Sequence, residues 1–172
     1  MTVSFHKFGN NSFPGTGHIK TNGAGDEKYH FLNVPLRDGV DDKSFHSLFH
    51  PAMDVYQLHA LVLRCGADSL ASDKLGSFNL SVKGHADCFL FLISFNVPLM
   101  VLGGGGYTMR NVSRCWCYER AVAVGVEFVG VEFVNNLPHN EYYEYFGPNY
   151  TLHVKPKPRQ NLNSARDLEK IR

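Results

Sequence analysis

Short runs of β-branched and aromatic residues alternate along this chain with longer segments whose apolar residues recur at helical spacing. "TVSFH" predicts a strand from Thr2 to His6, followed by the Gly-, Asn- and Pro-rich loop "GNNSFPGTGHIKTNGAGDE". "YHFLNVPL" predicts a second strand, Tyr29 to Leu36. In "DGVDDKSFHSLFHPAMDVY" acidic capping residues precede Phe45, Leu48 and Phe49, the spacing of a helix, which Pro51 is expected to interrupt or to end in its first part. "ALVLRC", Ala60 to Cys65, and "VPLMVL", Val97 to Leu102, are continuous apolar runs of the kind found in strands buried on both faces. Between them "LSVKGHADCFLFLISF" predicts a helix from about Val82 to Phe95. "TMRNVSRCWCYERAVAVG" predicts another, stopped by Gly125. The order is strand, strand, helix, strand, helix, strand, helix. That alternation implies an α/β fold, a parallel sheet flanked by helices on both faces.

In an open α/β sheet, ligands bind beyond the carboxyl ends of the strands. Two such ends carry chemistry. "ALVLRC" runs into "GADSL" with Asp68, and "VPLMVL" runs into "GGGGY" with Tyr107. If these strands are neighbours, a carboxylate and a phenol face one crevice. The four glycines do not read as a phosphate cradle, because Tyr-Thr-Met-Arg follows where a P-loop needs lysine and a hydroxyl. Lacking a Cβ, they instead let another group lie close to the main chain beside Tyr107, as along one wall of a narrow channel.

Composition narrows the classes. A chain of 172 residues fits one domain, and 44% hydrophobic residues suffice for a core. A net charge of +1 gives no broad footprint for direct nucleic-acid binding. "FLFLISF" is far too short to span a membrane, and "MTVSFHKFGN" has no signal-peptide core. Four cysteines without regular spacing point to a reducing compartment. Cys115 and Cys117, flanking Trp116, read as buried or inert thiols ahead of metal ligands.

"FPGTG", "LNVPLRDG", "CGADSL", "LGSFNLSVKGHADC", "FNVPLMVLGGGGYTMRNVSRCW" and "EYFGPNYTLHV" are collinear motifs, and together they resemble the C-terminal half of class I zinc-dependent histone deacetylases, most of all the plant members. The resemblance runs from about Met1 to Val154. It implies residues 1–155 as a partial deacetylase domain, with 156–172 a polar C-terminal tail. It also implies a nuclear hydrolase, with possible cytoplasmic presence, that removes acetyl groups from histone or other protein lysines and works with corepressor subunits in transcriptional repression. Asp68 matches a ligand of the catalytic zinc, where spacing alone favours a cap or loop carboxylate. Tyr107 matches the phenol that polarises the acetyl carbonyl, where the bland alternative is a buried helix-capping tyrosine. Phe13, Leu75 and Gly105 match the tunnel wall around the lysine stem. Ser4 and Phe5 match a monovalent cation (potassium) site, and Lys74 and Arg110 match positions that bind inositol phosphate in some animal members.

The chain departs from the family pattern where the chemistry is densest. No D-x-H motif and no His-His pair occurs among its nine histidines. One carboxylate does not make a three-ligand zinc site, so the 172 residues alone are expected to be inactive. A corepressor-binding fragment without catalysis, or a coding remnant or incomplete gene model, remain open alternatives. "VGVEFVGVEF", Val124 to Phe133, reads as a tandem five-residue duplication, and "LFHPAMDVYQLHALVL" as about four residues shorter than in relatives. Leu90 and Ile93 mark an exposed, sticky helix face.

Overall fold

A computed structural model describes residues 1–9, 12–55, 59–126, 135–153 and 155–172. The duplicated "VGVEF" stretch and the shortened segment after Asp54 fall largely outside these. The elements follow the expected order. They are β1 (Thr2–Lys7), β2 (Phe31–Leu36), α1 (Asp42–Asp54), β3 (Leu61–Cys65), α2 (Val82–Ile93), β4 (Leu99–Gly103), α3 (Met109–Ala123) and a further helix, α4 (Ala165–Ile171). β1 pairs with β2 in parallel, Thr2 opposite Phe31 through Lys7 opposite Leu36. β3 pairs with β4 in parallel, Leu61 opposite Leu99 through Cys65 opposite Gly103. The single sheet anticipated is thus, among the described residues, two parallel pairs flanked by helices.

Local chemistry sets the helix starts. Asp41 Oδ1 accepts the Ser44 N–H at 2.8 Å, satisfying a free donor of the first turn of α1. Ser81 Oγ does the same for the Gly84 N–H at 2.9 Å in α2. The two starts are also tied together, because the Asp42 carboxylate accepts both the Ser81 N–H (2.8 Å) and the Ser81 hydroxyl (2.6 Å). On this frame Phe45, Leu48 and Phe49 of α1 pack with Val34 and Leu36 of β2 and Leu92 of α2. The Phe5 ring completes the cluster at 5.3 and 5.2 Å from the rings of Phe45 and Phe49. A second core joins Ala86 of α2 to Val112 and Cys115 of α3 under Ala67 and Leu70.

Two expectations need correction. Pro51 neither interrupts nor ends α1, which runs on to Asp54. Proline removes the N–H that would bond the Ser47 carbonyl four residues back. The Arg172 guanidinium donates to that carbonyl instead, at 3.1 Å. β3 and β4, though strands as expected, are not buried on both faces. Val62, Met100 and Leu102 share one face and are 67%, 59% and 45% exposed. A continuous apolar run does not tell whether a second layer is present to cover it. Leu90 is likewise exposed on α2, whereas Ile93 is half-buried.

Residues 156–172 include α4, which is docked on the rest of the chain. Ser164 and Asp167 form a reciprocal capping box at the start of α4. Leu168 and Ile171 pack against the first core. Asn163 is buried, accepting the Arg37 N–H (2.8 Å) and donating to the Arg37 carbonyl (3.0 Å).

α2 and α3 are joined by a buried polar contact. His85 Nδ1 lies 2.6 Å from Glu119 Oε1, and His85 Nε2 donates to the Gly66 carbonyl at 3.1 Å. Burial alone would lower the imidazole pKa, but the Cys115 and Glu119 side chains against Nδ1 outweigh it and hold it well above 6.5. The imidazole is therefore a cation donating from both nitrogens.

Two outcomes follow for stability. A raised folded pKa stabilises fully below the unfolded value of about 6.5 and is lost as pH rises through the folded value. In urea unfolding, the stability advantage of the wild-type chain over His85→Gln should shrink between pH 6.5 and 9; an advantage that grows over that range would contradict the assignment. Truncation after Gln160 should lower the midpoint clearly, while Arg172→Ala alone costs about 1 kcal/mol or less, the worth of one exposed charge-assisted bond. An unchanged midpoint in the truncated chain would show that α4 contributes nothing.

Candidate functional site

The site is built where β3 and β4 end side by side. After Cys65 the chain makes a 3-10 turn, Ala67–Ser69, that carries Asp68. After Gly103 it runs through the glycines to Tyr107 and the start of α3. The two exits are stitched by the Ala67 N–H donating to the Gly105 carbonyl at 2.7 Å. The expectation that a carboxylate and a phenol leave neighbouring strands is met at the level of the backbone.

The glycines have a sharper reason than ligand access alone. A Cβ on Gly104 would meet Gly66 Cα at 2.8 Å, and one on Gly105 would fall on the Asp68 carboxylate. The bare backbone lets the two loops nest, so side chains at 104 and 105 would push Asp68 away from the Tyr107 segment.

The other candidates are placed around this pair. Asp68 accepts no hydrogen bond among the described residues, which leaves its lone pairs available to a cation. Tyr107 is 49% exposed, and its N–H is held by Asp73. Leu75 is exposed, and Phe13 is 96% exposed, next to a cis bond to Pro14. Lys74 and Arg110 are exposed on the two segments that Asp73 joins. On β1, the Ser4 hydroxyl bonds His6 Nδ1 at 2.9 Å, while the Phe5 side chain is turned into the first core.

His85, Cys115 and Glu119 are the buried group whose donor atoms lie close enough to suggest a metal. The geometry argues against one. Two ligands on a tetrahedral zinc, each at about 2.0–2.1 Å, stand about 3.3 Å apart. Here Nδ1 and Oε1 are 2.6 Å apart, a charge-assisted hydrogen bond. Sequence reasoning passed over His85 and Glu119, for nothing in a lone histidine and a lone glutamate on two helices announces that they meet. Held by Glu119, His85 donates to the Gly66 carbonyl, two residues before Asp68. Cys65, at the end of β3, has its thiol pushed up to about 12 by burial and the neighbouring Glu119 and Cys115, so it stays protonated. Cys115 is buried and Cys117 exposed, and all four cysteines are free.

A catalytic zinc needs three protein ligands and an open position. Asp68 offers one carboxylate, but among the described residues it belongs to no group of three His, Cys, Asp or Glu donors, and the His85 group is held together by its own hydrogen bond. The residues present do not complete such a site.

Comparison with known proteins places the chain in a family. The family model for the histone deacetylase domain matches residues 1–123. Over 176 aligned positions, covering the whole chain, it is 68% identical to "Histone deacetylase 6" of Arabidopsis thaliana and 61% to "Histone deacetylase 19" of the same plant. Identity to human "Histone deacetylase 1" is 53%. The chain spans about a third of the length of these relatives, between 34% and 36%. With the domain matched over most of its residues and identities this high, the chain belongs to the histone deacetylase family.

Proposed function

We propose that this chain supplies one half of a lysine-deacetylase active site and that its 172 residues do not turn over acetyl-lysine unaided. The observation that supports this most is the stitched pair of strand ends, which sets Asp68 and Tyr107 on adjoining loops. In this reading Asp68 is one ligand of a zinc ion, and the Tyr107 hydroxyl donates to the acetyl oxygen as it gains negative charge. A donor of that kind is worth roughly 3–4 kcal/mol of barrier. Phe13, Leu75 and Gly105 form part of the wall around an acetylated lysine of a histone or another protein. Ser4 and Phe5 belong to a potassium site, and Lys74 and Arg110 to an inositol-phosphate site shared with corepressor subunits, in the nucleus.

The remaining machinery is not among these residues. Paired histidines would supply proton transfer worth about 10²–10⁴-fold, and D-x-H the other metal ligands. A second reading, a binding partner without catalysis, is favoured by the exposed Val62, Met100 and Leu102 on the β3–β4 face. An apolar surface of this sort is a place for association.

An acetyl-lysine peptide assay with added zinc separates the two. The chain alone should show no turnover above a Tyr107→Phe control; turnover above that control would overturn the half-site reading.

A further inference from the structure

Asp73 stands outside every role assigned so far, yet its carboxylate is the most heavily bonded in the described structure. Oδ1 accepts the N–H groups of Leu75 (2.9 Å) and Gly76 (2.8 Å). Oδ2 accepts those of Tyr107 (2.8 Å) and Thr108 (3.1 Å), more than thirty residues away. A further bond, from the Thr108 hydroxyl to the Ser72 carbonyl (3.1 Å), closes the same junction. We infer that Asp73 is a positioning residue for the half-site, a carboxylate clamp that fixes the Tyr107 loop and the Leu75 turn relative to each other.

The arrangement differs from an ordinary helix cap. Thr108 occupies the N-cap position of α3, but its side chain makes no capping bond. Asp73 instead reaches from another loop to the N–H groups of the N-cap residue and of Tyr107 just before it. An anionic acceptor beside a helix start is favoured, so the entry to α3 is held only when the 72–76 turn is in place. The turn in its turn is held by the same carboxylate, because a local acceptor at Asp73 satisfies the Leu75 and Gly76 donors. Neither segment keeps its geometry without the other. Burial would raise the Asp73 pKa, but the four N–H donors lower it, keeping the carboxylate ionised. Lys157 and Arg159 line the cleft of about 210 Å³ beside Asp73, with Ser72 and Asn79, and make no hydrogen bond to it among the described residues.

The consequence rests on the deacetylase reading above. An oxyanion donor works only when its hydroxyl sits within hydrogen-bond distance of the developing charge, and an error of about 1 Å can cost about 10²-fold. Asp73 is the side chain that sets where the Tyr107 backbone lies, and it does so from the turn that presents Leu75. Asparagine keeps the shape but turns an NH₂ group towards one pair of N–H donors, so Asp73→Asn can retain at most one side of the clamp.

Two measurements test this. In the 172-residue chain, amide hydrogen exchange should rise at least about tenfold at Tyr107 and Thr108, or at Leu75 and Gly76, in Asp73→Asn, and at both pairs in Asp73→Ser. The amides of β1 and α1 should be unchanged. Unchanged exchange at all four amides in both variants, or a rise spread over the whole molecule, overturns the clamp. The second uses a chimera in which this chain replaces the matching third of Arabidopsis histone deacetylase 6. There Asp73→Asn should lower kcat about 10- to 100-fold with KM moved far less, and cost no further kcat in a Tyr107→Phe background. An equal loss in both backgrounds would show that Asp73 does not act through Tyr107. A chimera inactive with the wild-type chain would count against the deacetylase reading, and hydrogen exchange would still decide the clamp.

Discussion

The buried contact between His85 and Glu119 is the constraint from which the site geometry descends. A charged imidazole and a carboxylate this deep are costly unless both are paired and hydrogen-bonded. His85 meets that condition by bonding Glu119 on one side and the Gly66 carbonyl on the other. In doing so it fixes α2 against α3 and pins the exit of β3. The 3-10 turn bearing Asp68 starts at that exit. Breaking the pair leaves an uncompensated charge under the loop, so its removal is felt at Asp68 without any change to Asp68 itself.

From there the site is assembled by backbone contacts more than by side chains. The Gly105 carbonyl, the Ala67 N–H and the glycines without Cβ atoms let two loops lie against each other. Asp73 holds the far side. On the proposed reading, the loops that carry Asp68 and Tyr107 are self-contained in their scaffolding, although not in their chemistry. A rigid scaffold around an incomplete set of ligands is what one part of a divided active site requires, since precise placement must survive until the other part arrives. The exposed face of β3 and β4 fits the same picture, for a layer that would bury Val62, Met100 and Leu102 is not supplied by the described residues.

Much of this was legible in the sequence, for identifiable reasons. Strand and helix periods differ, so seven elements and their order could be read directly, and strand ends pointed to Asp68 and Tyr107. The exposure of β3 and β4 was not legible, because an apolar run looks the same whether one face is covered or two. Helix α4 was missed although "SARD", residues 164–167, carries its capping box; seven polar-rich residues give too little apolar period to raise suspicion. Pro51 misled because its compensation, the Arg172 donor, lies 125 residues beyond Ser47 in sequence. Tyr107 lies 34 residues from Asp73 and Glu119 34 from His85, and no local pattern encodes either pairing. Asp73 falls between the motifs that carried the family resemblance, and His85 stands in one of them only as a letter, without its contacts.

The central claim is that this chain holds a competent but partial catalytic half. The most direct measurement is complementation. The chain would be mixed with a segment of a full-length relative that carries the paired histidines and the D-x-H motif, and deacetylation of an acetyl-lysine peptide followed. The account predicts activity in the mixture that neither part shows alone, abolished by Asp68→Asn and reduced by Tyr107→Phe. Activity in the mixture that is indifferent to both substitutions would contradict it.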